Sequence, residues 1–87
     1  MSGAPRRPPA RLQVLGRAGC HLCQDMLLAL ERWPDPLPGV EFVDIDRDPE
    51  LLRRWGDKIP VLMADGHYVC HYFLDTKALK TLFREPL

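Results

Sequence analysis

Cys20 and Cys23 are separated by two residues in the run Gly16-Arg17-Ala18-Gly19-Cys20-His21-Leu22-Cys23. Two thiols at that spacing suit a dithiol–disulfide couple or half of a metal site, and the surroundings decide between them. An apolar run, Leu12 to Leu15, precedes the pair. Leu22, Met26, Leu30 and Trp33 follow at helical spacing, with Leu27 widening the stripe. The pair therefore falls where a strand hands over to a helix, a context that favours redox chemistry.

Thiol–disulfide exchange runs through the thiolate. At a helix N-terminus the unpaired amides and the helix dipole stabilise negative charge. Such placement lowers a cysteine pKa from about 8.5 into a range of about 3.5–7.5. Cys20 is accordingly the expected nucleophile. Cys23, one turn further and more buried, is the expected resolving thiol. Arg17 and His21 stand close enough in sequence to add positive charge, and Asp25 is expected to point to solvent. A zinc site needs four ligands. The other donors are His67, Cys70 and His71, but neighbouring strand residues point to opposite faces, which speaks against one site holding them all. His67 and His71 are read on one face with Val69 and Phe73, and Cys70 as a half-buried strand residue. No metal is expected.

The elements that must hold these sulfurs can be read in order. Arg11 to Leu15 and Val40 to Ile45 are strand candidates, separated by the helix that Pro34 ends. Asp48 as cap and Pro49 at the first helical position start a short second helix running to about Trp55, with Gly56 as a left-handed stop. Lys58 to Ala64 and His67 to Phe73 are joined by Asp65-Gly66, a strong hairpin signal. Asp75 caps a last helix with Leu79, Leu82 and Phe83 on one face. The first half is a β-α-β unit, which requires parallel pairing and a right-handed crossover. The order strand-helix-strand-helix-strand-strand-helix gives a mixed four-stranded sheet with helices on both faces, an α/β domain over 11–87. Residues 1–10, rich in proline, are expected to be a flexible tail.

The chain has 87 residues, room for one domain. Its 46% hydrophobic content is enough for a core, and 12 basic residues balance 12 acidic ones. That balance offers no general attraction to nucleic acid or to an anionic membrane, and it repels a second copy only weakly, so a monomer or weak dimer is expected. No apolar run approaches the roughly 20 residues of a membrane helix, and the N-terminus carries no secretory pattern. A cytoplasmic setting is therefore expected, where thiols stay reduced and 3 cysteines do not suggest a structural disulfide framework.

Three local features carry a family resemblance. These are Cys20-His21-Leu22-Cys23 at a helix start, Ile59-Pro60 before the third strand, and the acidic stretch from Asp44-Ile45-Asp46 to Asp48-Pro49. With the element order, they resemble the thioredoxin fold and, at this length, the glutaredoxin-like proteins. The chain is most similar to a small bacterial glutaredoxin-like family of mostly uncharacterised members. The resemblance covers roughly residues 11 to 85 and implies dithiol–disulfide exchange with a protein disulfide or small-thiol substrate. It implies that Ile59-Pro60 is the cis-proline loop facing the cysteines, with the Ile59 backbone turned toward substrate. Arg17 stands where many glutaredoxins have a lysine. Asp75 is what remains of the aspartates that hold glutathione. Elsewhere the pattern departs. Lys58-Ile59-Pro60 replaces Thr-Val-Pro, Tyr72-Phe73-Leu74 stands where a Gly-Gly is usual, and Cys-Pro-Tyr-Cys is absent. Glutathione is thus expected as a co-substrate at most, with no tightly bound cofactor. Two other readings stay open. One is a binding module that uses the same fold without turnover. The other is a metal or iron–sulfur centre in a dimer, each chain giving one C-x-x-C.

Overall fold

The computed structural model describes residues 8–83. Its elements are β1 (Leu12–Gly16), α1 (His21–Glu31), β2 (Val40–Asp44), a 3₁₀ turn (Ile45–Arg47), α2 (Pro49–Trp55), β3 (Val61–Ala64), β4 (His67–His71) and α3 (Thr76–Phe83). The sheet order is β2-β1-β3-β4. β1 and β2 run parallel, pairing Leu12 with Val40 through Gly16 with Asp44. β3 runs antiparallel to β1, with Leu15 opposite Val61, and β4 antiparallel to β3. This is the mixed sheet the residue pattern implies. No helix among the described residues is long and apolar enough to cross a membrane.

Each face of the sheet has its own core. Leu12 and Val14 of β1 and Leu62 and Ala64 of β3 join Met26 and Leu30 of α1, Cys70 of β4 and Leu79 of α3. On the other face Leu15, Val61 and Ile45 pack with Leu51 and Trp55 of α2. β1 therefore contributes to both cores and is buried along most of its length, which is why it reads as continuously apolar. The stripe of α1 is turned slightly from the expected one. Cys23, Met26 and Leu30 are its buried residues, and Leu22 is only half-buried. The helix ends at Glu31, and Trp33 packs on the core from beyond it.

Local signals explain the other boundaries. The Asp48 carboxylate accepts from the amides of Glu50 and Leu51 at 3.0 and 3.3 Å, with Pro49 at the first helical position. Asp65 and Gly66 have φ of +51° and +81°, as a two-residue hairpin turn requires. Five expectations need correction. Gly56 is right-handed, with φ −56° and ψ −31°: the Lys58 amide closes onto the Trp55 carbonyl at 2.8 Å, so no left-handed stop is required. Ile45 leaves β2 for the 3₁₀ turn, and β3 begins only at Val61. β4 ends at His71, and the register slips between Leu62 and Met63, opposite Cys70 and Tyr68. Val69 is thus the extra residue of a bulge. It packs on the same core as Cys70, while Tyr68 and His71 come together on the other face, the Tyr68 hydroxyl bonded to His71 Nδ1. His71 therefore does not share a face with Val69, and Phe73 lies beyond the end of the strand.

The expectation of a flexible tail falls largely on residues 1–7, outside the described residues. At its end, the amides of Ala10 and Arg11 donate to the Asp65 carboxylate at 3.1 and 2.9 Å.

Candidate active site

The site is built on the turn between β1 and α1. The Cys20 amide donates to the Arg17 carbonyl at 3.3 Å, across Gly19 with φ +79°. A glycine at the third position meets the positive φ that such a turn demands. The turn delivers Cys20 in extended conformation, φ −81° and ψ 115°, as the N-cap of α1. Its sulfur takes the role that a serine or aspartate oxygen plays at other caps. The Cys23 amide donates to Cys20 Sγ at 3.1 Å. Cys20 and Cys23 are joined as a disulfide, with Cα atoms 5.1 Å apart, inside the range a disulfide spans.

The two sulfurs differ in access. Cys23 is 1% exposed, whereas Cys20 is only partly buried. Gly16 makes the inner position possible. A Cβ there would lie 2.7 Å from Cys23 Sγ and 3.1 Å from the Phe42 ring, so any side chain would displace the sulfur. His21 is the first residue of α1 and is exposed, as is Asp25.

Arg17 is held by Asp46 in a two-pronged pair, Nε to Oδ2 at 3.1 Å and Nη2 to Oδ1 at 2.9 Å. The hydrogen bond and charge of Asp46 push the Arg17 pKa up, and those of Arg17 pull the Asp46 carboxyl down. Asp46 is itself fixed by the Asp44 carboxylate, which accepts from its amide at 3.0 Å. The positive charge beside the cysteine turn is therefore already partnered.

The Ile59–Pro60 peptide is cis, as the family resemblance implied. Pro60 is fully buried and precedes Val61, which pairs with Leu15 next to Gly16, so register places the proline loop at the sheet end that carries the cysteines. Asp75 caps α3: its carboxylate accepts from the Ala78 amide at 3.0 Å, and its carbonyl from Leu79 at 3.0 Å. It also lies against Cys70, whose thiol pKa is pushed up by burial. Cys20, Cys23 and the Arg17 turn thus form one unit, Ile59-Pro60 flanks it across the sheet, and Asp75 is engaged with its own helix. Among the described residues no three His, Cys, Asp or Glu side chains gather as a metal site. A cavity of about 680 Å³ lined by Trp33, Lys77, Lys80 and Phe83 involves none of these site residues.

Two participants are not evident from spacing alone. Gly16 reads as loop punctuation, although a glycine directly after an apolar strand and before C-x-x-C is a usable signal of close approach. Asp46 reads as part of a helix start, and nothing local pairs it with Arg17, 29 residues away.

Comparison with known proteins finds a family and a similar solved structure. The model of the Glutaredoxin-like domain (DUF836) family matches residues 11–84. The solution NMR structure of protein Ne2328 from Nitrosomonas europaea is similar, with a TM-score of 0.68 and 33% identity, covering 95% of this chain and 99% of that one. No curated protein matches the chain.

Proposed function

The chain belongs to the glutaredoxin-like (DUF836) family, and from that premise we propose that it is a thiol–disulfide oxidoreductase working through Cys20 and Cys23. The observation that carries this reading is the unequal placement of the paired sulfurs, one at the mouth of a helix N-terminus and one sealed beneath it. In the reduced protein the amide that reaches Cys20 Sγ favours the thiolate over the thiol. The Cys20 thiolate attacks a substrate disulfide, forms a mixed disulfide and expels one substrate thiolate. Cys23 then loses its proton and attacks Cys20 Sγ, releasing the second substrate thiolate. The protein gives up two electrons and becomes the Cys20–Cys23 disulfide, and a small dithiol or thiol restores the reduced form.

The substrates we propose are protein or small-thiol disulfides, with glutathione as a co-substrate, in a thiol-reducing compartment such as the cytoplasm. Arg17 and His21 border the attacking sulfur, Ile59-Pro60 the substrate, and Asp75 supports the neighbouring helix. The test is mixed-disulfide reduction by purified protein. Cys20→Ser should fall to the background rate, and Cys23→Ser should accumulate the mixed disulfide. A Cys20→Ser variant as active as wild type overturns the reading. A Cys20 thiol titrating near the ordinary value of about 8.5 supports a binding module instead.

A further inference from the structure

The segment after β4 holds a backbone conformation that its side chains do not favour. Tyr72 has φ of +64°, a region that bulky residues seldom enter. Across it the Phe73 amide donates to the His71 carbonyl at 2.7 Å, closing a γ-turn of the strained kind. Two bonds fix Tyr72 there: its amide to the Pro60 carbonyl at 2.9 Å, and its hydroxyl to the Asp57 carbonyl at 2.8 Å. Its ring stands edge-on to His71, with centroids 4.5 Å apart. The turn leaves Phe73 68% exposed, more than any other large apolar side chain among the described residues. Such strain persists only where the surroundings over-determine it, and it gathers at functional segments.

Register locates this turn. His71 pairs with Val61, and Val61 with Leu15, so the turn lies at the sheet end bearing the cysteines, two strands across. At a spacing of roughly 4.8 Å per strand this is about 10 Å, the reach of about three residues of extended chain. Between them, the Ile59 amide and carbonyl make no backbone hydrogen bond among the described residues. The cations of this stretch are paired, Arg17 with Asp46 and Lys58 with Asp57. A free backbone edge, paired charges and a projecting aromatic ring suit a polypeptide with an apolar side chain better than a small anionic thiol.

We propose that Phe73 is the specificity anchor of the exchange site. The matching substrate class is an extended polypeptide disulfide with a large apolar side chain about three residues from the reacting cysteine. This rests on the exchange activity proposed above and leaves its electron balance unchanged: the dithiol becomes a disulfide, and the peptide disulfide becomes two thiols.

The test uses reduced protein freed of excess dithiothreitol, in single-turnover mixing. The substrates are disulfide peptides with Leu or Ser two, three or four residues from the cysteine, glutathione disulfide, and hydroxyethyl disulfide as a small reference. Wild type should favour the best Leu peptide over its Ser counterpart by about tenfold. In Phe73→Ala the two should converge, Phe73→Leu should keep most of the preference, and hydroxyethyl disulfide should react alike in all three proteins. Equal rates on Leu and Ser peptides in wild type overturn the inference. So does a preference that survives Phe73→Ala, or glutathione disulfide outpacing the Leu peptides. Failure of wild type to reduce even hydroxyethyl disulfide overturns the exchange reading itself, and is distinguishable from the other outcomes.

Discussion

Cys20 and Cys70 are the same chemical group in opposite settings. Cys20 caps a helix, accepts a backbone N–H and faces outward; Cys70 is 7% exposed in β4 among Leu62, Leu79 and their neighbours. Around Cys70, desolvation raises the thiol pKa, a hydrogen bond from the Asp75 backbone partly opposes it, and the Asp75 charge adds a smaller rise. Cys70 is the free thiol among the described cysteines, yet its setting suppresses reactivity. The difference teaches that a thiol's chemistry here follows its place on the sheet: the end of β1 exposes charge-stabilising amides, whereas β4 buries the thiol in an apolar core beside Asp75.

The sharpest way to break this contrast is alkylation of the reduced, folded protein read by mass spectrometry. Cys20 should be labelled first and Cys70 only after unfolding, and Cys70→Ala should leave exchange rates unchanged where Cys20→Ser abolishes them. Labelling of Cys70 at a rate comparable to Cys20 would erase the distinction. Next in size, Gly16→Ala presses a methyl on Cys23 Sγ and should cost about 1–3 kcal/mol in urea unfolding. Gly39→Ala, which meets open space, serves as the neutral control.

A smaller effect comes from Cys70→Ala, about 1 kcal/mol at neutral pH from lost packing. Because the folded thiol pKa lies above the unfolded one, its contribution is complete below the unfolded value and is lost as pH rises through the folded one. The stability gap between wild type and Cys70→Ala should therefore narrow in alkali, as denaturation at a series of pH values would show. The smallest effect belongs to the exposed Arg17–Asp46 pair. Its carboxyl is depressed, so its contribution is present above the ordinary 3.8 and is lost as pH falls through the lower folded value. Asp46→Asn should flatten that acid-side component in the same titration, with only a slight change at pH 7.

Signals contained within a few residues could be read without coordinates. Asp48-Pro49 started α2, Asp65-Gly66 turned the hairpin, and Cys20 marked the strand-to-helix passage, because each acts through its own or adjacent amides. What escaped depends on partners distant in sequence. The bulge at Val69 reflects how β4 fits two residues onto one core, which period-two reading cannot anticipate. Tyr72 adopts its φ because Pro60 and Asp57 hold it, and Arg17 is neutralised from across the β-α-β crossover. Gly16 needed the position of Cys23 before its small size acquired a meaning.

The grip of Asp65 on the amides of Ala10 and Arg11 has a practical bearing. The hairpin tip lies beside the start of β1, at the pole opposite the disulfide. A fluorescent protein or affinity handle fused ahead of residue 8 is therefore steered away from the reactive sulfurs. Breaking the clasp with Asp65→Gly, which removes the acceptor and suits the positive φ, should leave redox assays intact while changing how such a fusion is oriented.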